Sequence, residues 1–369
     1  MTLGIDASRA NNLQKTGVEW YAFFLIEELK KITPPETKVI LYSEKPLTGE
    51  LAVLPTNWES KVLAWPPKRL WTQIRLSLEM LMHAPDVLFI PAHVFPLIHP
   101  KKTVMTVHDV AALRFPQSYN WFERWYSLWS AKYAVKNLWK VIAPSQFTKD
   151  ELFSLTQKNE NIEVVYHGYD ETYNLRKDQR EGENILHKYK IEKPFLLSLG
   201  RIEEKKNTVR TIEAFNALKP QYPDLKLVLV GKPGYGYEKV ERVIAESPYQ
   251  KDIIRPGYVE QSDIASIMQA AEVFVFPSLY EGFGIPILEA FASRTPVVTS
   301  KNNSCEEISG GAAREVDPLS SVDIKQAIDQ ILSDADLRQQ CIEAGQRRVQ
   351  DFSWHKCAAS TLKVLTSQD

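Results

Sequence analysis

The sequence predicts an α/β protein built on parallel sheets and divided into two domains. Three observations carry this. Short apolar runs alternate with amphipathic stretches along the chain, the pattern of β-α-β units. At 369 residues the chain exceeds what one hydrophobic core usually serves. A polar segment at 170–183, DETYNLRKDQREGE, interrupts the pattern without apolar periodicity and reads as a linker.

In the first half, strands are expected at 3–6, 38–42, 86–90, 103–107, 141–143 and 163–166. Helical periodicity falls between them, notably at 18–31 and 121–138. A second series follows the polar segment, with strands at 195–199, 225–230, 253–255, 273–276 and 295–298. The two halves share a style rather than a repeated sequence.

Composition narrows the function classes. Hydrophobic residues make up 44% and charged residues 25%, as in ordinary globular proteins. The formal net charge of -1 argues against a nucleic-acid partner. No stretch approaches the ~18 uninterrupted apolar residues of a membrane span, and MTLGIDASR leads directly into a strand. Neither a transmembrane helix nor a signal peptide is expected. Cys305, Cys341 and Cys357 are odd in number and lack metal-like spacing, so they read as free thiols of a reducing, cytoplasmic compartment.

The most informative stretch is SLYEGFGIPILEA, residues 278–290. It follows a short apolar strand ended by Pro277. Pro286 is pre-set for a first helical turn, and good helix formers continue it. The turn therefore sits at the carboxyl end of a strand, where α/β sheets bind ligands. Gly282 and Gly284 permit close backbone approach, and the helix start favours phosphate or sugar hydroxyls. Glu289, about one turn into the helix, suits a bidentate hold on a ribose diol, and Glu281 could face a sugar. Alone, such a pair of glutamates reads first as a capped helix with two solvated carboxylates.

Other segments decide between these readings. In SLGRIEEKKN, 198–207, Arg201 follows a strand end at Gly200, and Lys206 precedes Asn207, an expected N-cap. Two cations at a strand end beside a glycine turn form a pyrophosphate clamp that needs no metal. In TVHDVAALRFP, His108 and Asp109 follow an apolar strand directly. The loop NNLQKTGVEW carries Gly17 into a helix at about Val18. No G-x-G-x-x-G follows either opening strand, which counts against a dinucleotide site.

Together these segments resemble the retaining glycosyltransferases of family 4. The match covers nearly the whole chain: Thr16-Gly17-Val18, TVHD, APSQFTKDEL at 143–152, VVYHGYD at 164–170, GRIEEKKN, PSLYEGFGIPILEAFASRTPVV and FSWHKCAASTLKVL. The resemblance implies a GT-B fold, two facing Rossmann-like domains with parallel sheets and an interdomain cleft. The N-terminal, acceptor-side domain is expected at 1–183 with a crossover helix at 353–369, and the nucleotide-sugar domain at 184–352. It further implies that Arg201 and Lys206 bind the donor's phosphates, Glu289 holds the ribose, and Glu281 lies by the transferred sugar. Amides of Phe283, Gly284 and Ile285 would contact sugar and distal phosphate, and His108 and Gly17 would approach from the N-terminal domain. Gly257, Tyr258 and Val259 are expected at the base.

The implied activity is retaining, metal-independent transfer of a hexose to a glycan or lipid-linked glycan, with no cofactor. Same-face attack is favoured, because no carboxylate is an evident nucleophile on the opposite face. Mannosyltransferase-type blocks favour GDP-mannose, with a UDP-sugar as the other donor. A nucleotide-sugar epimerase, a glycan phosphorylase and a silent sugar-nucleotide-binding scaffold are the rival readings.

The acceptor side is marked by aromatics at 119–140. Trp121, Trp125 and Trp129 recur with Phe122, Tyr126 and Tyr133 on one broad helical face, near Lys132, Lys136 and Lys140. Lys61, Lys68, Arg69 and Arg75 lie in a second stretch without acids. These aromatics are either domain core or a surface that lines the acceptor groove or makes peripheral contact with the inner membrane face.

Overall fold

In the computed structural model, which describes residues 1–66, 70–176 and 178–367, the chain forms two compact units. Met1–Gly168 and Ser353–Asp369 make the first, and Tyr169–Phe352 the second. The division falls between Gly168 and Tyr169 rather than at 183/184. Tyr169 and Tyr173 are buried in the core of the second unit, which draws the polar segment into that unit.

That segment is not a structureless linker. Asp170 caps a short 3-10 turn, Glu171–Asn174, by accepting from the Thr172 amide at 3.0 Å. Asp178 caps the helix Gln179–Lys188 by accepting from the Glu181 amide at 2.8 Å. Among the described residues of this stretch and the helix that follows, Tyr173, Ile185 and Leu186 turn inward, too few to produce a visible period.

The first unit holds seven parallel strands in the order β3-β2-β1-β4-β5-β6-β7. They are β1 (Thr2–Asp6), β2 (Lys38–Ser43), β3 (Trp58–Val62), β4 (Val87–Ile90), β5 (Thr103–Thr106), β6 (Lys140–Ala143) and β7 (Ile162–Val164). Leu3 of β1 stands opposite Val39 on one side and Val87 on the other. The inner strands are buried throughout, which is why they read as continuous apolar runs. Edge strand β3, WESKV, escapes sequence reading because most of it is exposed and polar.

The helix Gly17–Ile32 starts with a capping box between Thr16 and Glu19 and ends on Lys30 and Lys31, matching its dipole. Tyr21, Ala22, Leu25, Ile26 and Leu29 form its buried face. The helix Trp354–Leu365 packs against it, with Trp354 stacked on Phe24 at 5.4 Å.

The helix Trp121–Asn137 begins at an Asn120 cap. Its aromatics divide. Trp129 and Tyr133 stack on buried Phe95, while Trp121, Phe122 and Trp125 are 80%, 52% and 53% exposed. Lys61 and Arg75 are not a free basic surface, since both pair with buried Glu79. Lys68 and Arg69 lie outside the described residues. Among the described residues, no helix is long and apolar enough to cross a membrane.

The second unit holds six parallel strands in the order β10-β9-β8-β11-β12-β13. They are β8 (Phe195–Leu199), β9 (Lys226–Val230), β10 (Ile253–Ile254), β11 (Val273–Phe276), β12 (Val297–Ser300) and β13 (Arg314–Val316). Phe195, Leu197, Phe274, Phe276 and Val297 turn to one face of this sheet, and Leu196, Val273, Val275 and Val298 to the other, each face covered by a separate core. Cys305, Cys341 and Cys357 are free and buried.

Candidate active site

In each sheet the strand order reverses once, between β1 and β4 and between β8 and β11. Chains leaving neighbouring strands in opposite directions open a crevice at that point. In the second unit the chain leaves β8 at Gly200 and β11 at Pro277, the two segments expected to bind a donor.

Hydrogen bonds lock these two segments together. The Leu279 amide donates to the Lys205 carbonyl at 2.8 Å. Asn207 is not the side-chain N-cap expected of it. Its backbone is left-handed, and its side-chain Nδ2 donates instead to the carbonyls of Pro277 at 2.9 Å and Pro318 at 2.6 Å. It is a tie between loops. Ser304 Oγ donates to the Glu281 carbonyl at 2.8 Å, holding the far side of the turn.

The result is a contact across the crevice: Lys206 Nζ lies 2.5 Å from Glu281 Oε1. Their side chains are 20% and 14% exposed, so the pair is largely shielded and its Coulomb attraction correspondingly strong. Arg201 is exposed and makes no ion pair among the described residues. An anion entering here meets one committed and one uncommitted cation.

Gly284 takes φ +106, a conformation closed to most side chains, and ends the turn where the helix Ile285–Ala292 begins with Pro286 in its first turn. Gly282 and Ile285 are partly exposed in this turn, and Phe283 is buried against Phe352. Glu289, on the same helix, is partly buried. Burial pushes its carboxyl up to about 8, the Asp170 carboxylate adds to the rise, and a hydrogen bond from the Tyr173 hydroxyl opposes it. Glu289 is therefore mostly protonated at neutral pH.

Gly257, Tyr258 and Val259 follow β10, at the outer edge of the sheet. Tyr258 is 73% exposed and Val259 buried. The Lys232 ammonium lies 5.9 Å from the Tyr258 ring. Lys232 belongs to GKPGYG at 231–236, a loop that sequence reading passed over although it follows β9 directly. Gly231, at φ +153, has no room for a Cβ, which would fall 1.8 Å from the Gly200 carbonyl oxygen. The glycine-rich run at a strand end was the available signal. Tyr173 was also missed; it carried no motif and is identified only by its bond to Glu289.

Gly17 and His108 belong to the first unit. Gly17 opens the helix Gly17–Ile32, and a Cβ there would meet nothing within 4 Å. His108 is buried beside Tyr21, His93 and His167. Burial and the neighbouring His93 hold its imidazole down at about 4, so it is neutral at physiological pH. Its Nε2 lies 2.9 Å from the Pro91 carbonyl, which only accepts, so Nε2 carries the proton and Nδ1 is left as an acceptor. Asp109 caps the following turn through the Ala111 amide at 3.0 Å.

Two Rossmann-like parallel sheets, with charged side chains gathered where a strand order reverses, are the architecture of the GT-B class. Family models agree over nearly the whole chain: Glycosyltransferase Family 4 matches residues 15–173 and Glycosyl transferases group 1 matches residues 180–348. The chain belongs to the family 4 glycosyltransferases. Among its relatives, the Escherichia coli O-antigen chain mannosyltransferase B is 26% identical over 312 residues, 83% of this chain and 79% of that protein. The E. coli serotype-specific mannosyltransferase WbdA is 28% identical over 192 residues, 50% of this chain but 23% of that longer protein. WaaG, a glycosyltransferase involved in lipopolysaccharide biosynthesis, shares the fold with a TM-score of 0.74 at 16% identity over all of both chains. Anabaena Alr3699/HepE in complex with UDP-glucose does so with a TM-score of 0.75 at 17% identity over 99% of each.

Proposed function

We propose that this glycosyltransferase moves a hexose, with retention, from a nucleoside-diphosphate sugar to a glycan or lipid-linked glycan. The observation that carries the reading is the joining of Lys206 to Glu281 beside Arg201 at the β8/β11 reversal. Mannose from GDP-mannose is the favoured substrate, supported by the mannosyltransferases among the relatives. A UDP-sugar is the alternative, supported by the UDP-glucose complex of a protein with this fold.

On this reading the donor's diphosphate takes Lys206 and Arg201 as counter-charges and is stabilised as it departs. Glu281, released from Lys206, faces the positive charge that develops at the anomeric carbon. Its own alkylation is not required: attack from the leaving-group side lets the departing phosphate accept the acceptor's proton and gives retention. His108 Nδ1 accepts a hydrogen bond from a sugar hydroxyl, a contact that suits a neutral imidazole. Tyr173 orients Glu289 for the ribose, and 257–259 border the base.

A thermal-shift panel of nucleoside diphosphates tests the donor assignment. GDP is expected to stabilise the protein most; equal indifference to every nucleotide would remove the reading altogether. Transfer is expected to survive EDTA, because two cations already neutralise the diphosphate. Full loss in EDTA, restored by manganese or magnesium, would sink that expectation.

We also propose that the acceptor is membrane-borne and that the exposed Trp121, Phe122 and Trp125 contact the bilayer peripherally, from the cytoplasmic face. Aromatic side chains at the start of a helix suit a headgroup interface. Flotation with anionic vesicles should show binding at low salt that Trp121→Ser/Trp125→Ser weakens severalfold. No binding, with full activity on a water-soluble acceptor, counts against it.

A further inference from the structure

The nucleotide clamp occupies the carboxyl ends of the strands in the second unit. At the amino ends of β8, β11 and β12 the same unit opens a different cavity, of about 350 Å³, a volume at the lower end for small-molecule sites. It is bounded by the helices Gln179–Lys188 and Gln261–Ala270 and by the carboxyl end of Ile285–Ala292.

Three cations line it, Arg176, Lys193 and Arg294, and none makes an ion pair among the described residues. Asp178 and Glu183 also border the cavity, but both have other work. Asp178 caps its own helix, and Glu183 accepts from Gln179 Nε2 at 2.9 Å. The balance is a surplus of one positive charge with three uncommitted donors.

Two buried hydroxyls sharpen the chemistry. Ser266 and Ser293 line the cavity, are 4% and 6% exposed, and have Oγ atoms with no hydrogen-bond partner among the described residues. Buried polar groups are normally satisfied, so two orphans in one cavity wall point to a polar ligand. Gln269 contributes its amide: Nε2 donates to the Tyr173 and Leu175 carbonyls at 3.3 and 2.8 Å, leaving Oε1 as an acceptor.

Arg294 occupies an unusual backbone position. It follows the helix Ile285–Ala292 with φ +60, in a closing turn where the Thr295 amide donates to the Ala290 carbonyl at 2.9 Å. Glycine is preferred there, and an arginine is the less favourable choice for the backbone. Its side chain, aimed at the cavity, supplies what glycine lacks.

Guanidinium and ammonium groups suit a phosphate, whereas hydroxyls and an amide oxygen suit a polyol. We propose that this cavity is a second ligand site, for a small phosphorylated sugar, distinct from the nucleotide clamp.

Isothermal titration of the full chain with glucose 6-phosphate, and with inorganic phosphate as comparator, tests this. Saturable binding of the sugar phosphate is expected in wild type and undiminished in Arg201→Ala/Lys206→Ala. Arg294→Gly should weaken it about tenfold or more, as should Lys193→Ala, through loss of a charge-assisted contact. Arg294→Gly suits the left-handed backbone, so its melting temperature should be unchanged or higher, and lost binding would not reflect misfolding. Binding abolished in the clamp variant but intact in Arg294→Gly, or no saturation at all, overturns the site. Phosphate binding as tightly as the sugar phosphate overturns the sugar part. Nucleotide binding measured alongside is a separate readout, so failure here leaves the donor assignment standing.

Discussion

Replacing Lys206 with alanine is expected to lower turnover by about two to three orders of magnitude, the usual cost of removing a preorganised charge at a leaving group. Arg201→Ala should act similarly on turnover but differ in stability. Arg201 is exposed and unpaired among the described residues, so its loss should leave the melting temperature unchanged. Lys206→Ala strands the Glu281 carboxylate, 14% exposed, and should cost about 1–3 kcal/mol. Steady-state rates with saturating donor, paired with thermal melts, separate the two effects. Turnover within tenfold of wild type for both variants would show that neither cation faces the leaving group.

Glu289 should give the second large effect, in binding rather than rate. A ribose contact is made in ground and transition states alike, so Glu289→Ala should weaken nucleoside diphosphate binding about tenfold or more with little change in the rate from the bound state. Glu289→Gln is the more telling variant. With the carboxyl pushed up to about 8, the wild-type group is mostly neutral at pH 7, and glutamine keeps its shape and neutrality. The sign for stability follows from the raised value. The folded protein holds this proton more tightly than the unfolded chain, whose glutamate titrates near 4.5. The stabilisation is fully present below about 4.5 and is lost as pH rises through about 8. Glu289→Gln should therefore resemble wild type at pH 4.5 and be the more stable of the two at pH 9, by up to about 5 kcal/mol. Parallel melting curves for the two proteins from pH 5 to 9 would show that this carboxyl is not raised.

The stretches legible in the sequence share one property: their backbone role and their chemistry are written in adjacent residues. The buried strands of both sheets read as apolar runs because parallel strands are covered on both faces. The turn at 278–290 announces itself through Gly-Phe-Gly and Pro286, and Arg201 and Lys206 through their place after Gly200. Short-range patterns of this kind are set by sterics and helix-start chemistry, so the chain's own order specifies them.

What only the tertiary structure decided depends on residues distant in sequence. Edge strand β3 exists because β2 offers it a ladder, and its exposed, polar side chains carry no apolar signal. Asn207 looks like a cap until the Pro277 and Pro318 carbonyls are seen within its reach. The aromatic helix reads as one surface, yet packing against Phe95 takes Trp129 and Tyr133 and leaves Trp121, Phe122 and Trp125 outside. Lys61 and Arg75 look like free charge until both are seen paired with the buried Glu79. Glu289 is an ordinary glutamate by sequence; burial, with Asp170 drawn close by the fold, makes it a proton-holding acid. Local patterning determined which segments form the sheets and the turn, whereas partnering across the sequence determined the charge and exposure of the side chains they carry, because desolvation and Coulomb energies depend on neighbours that only folding assembles.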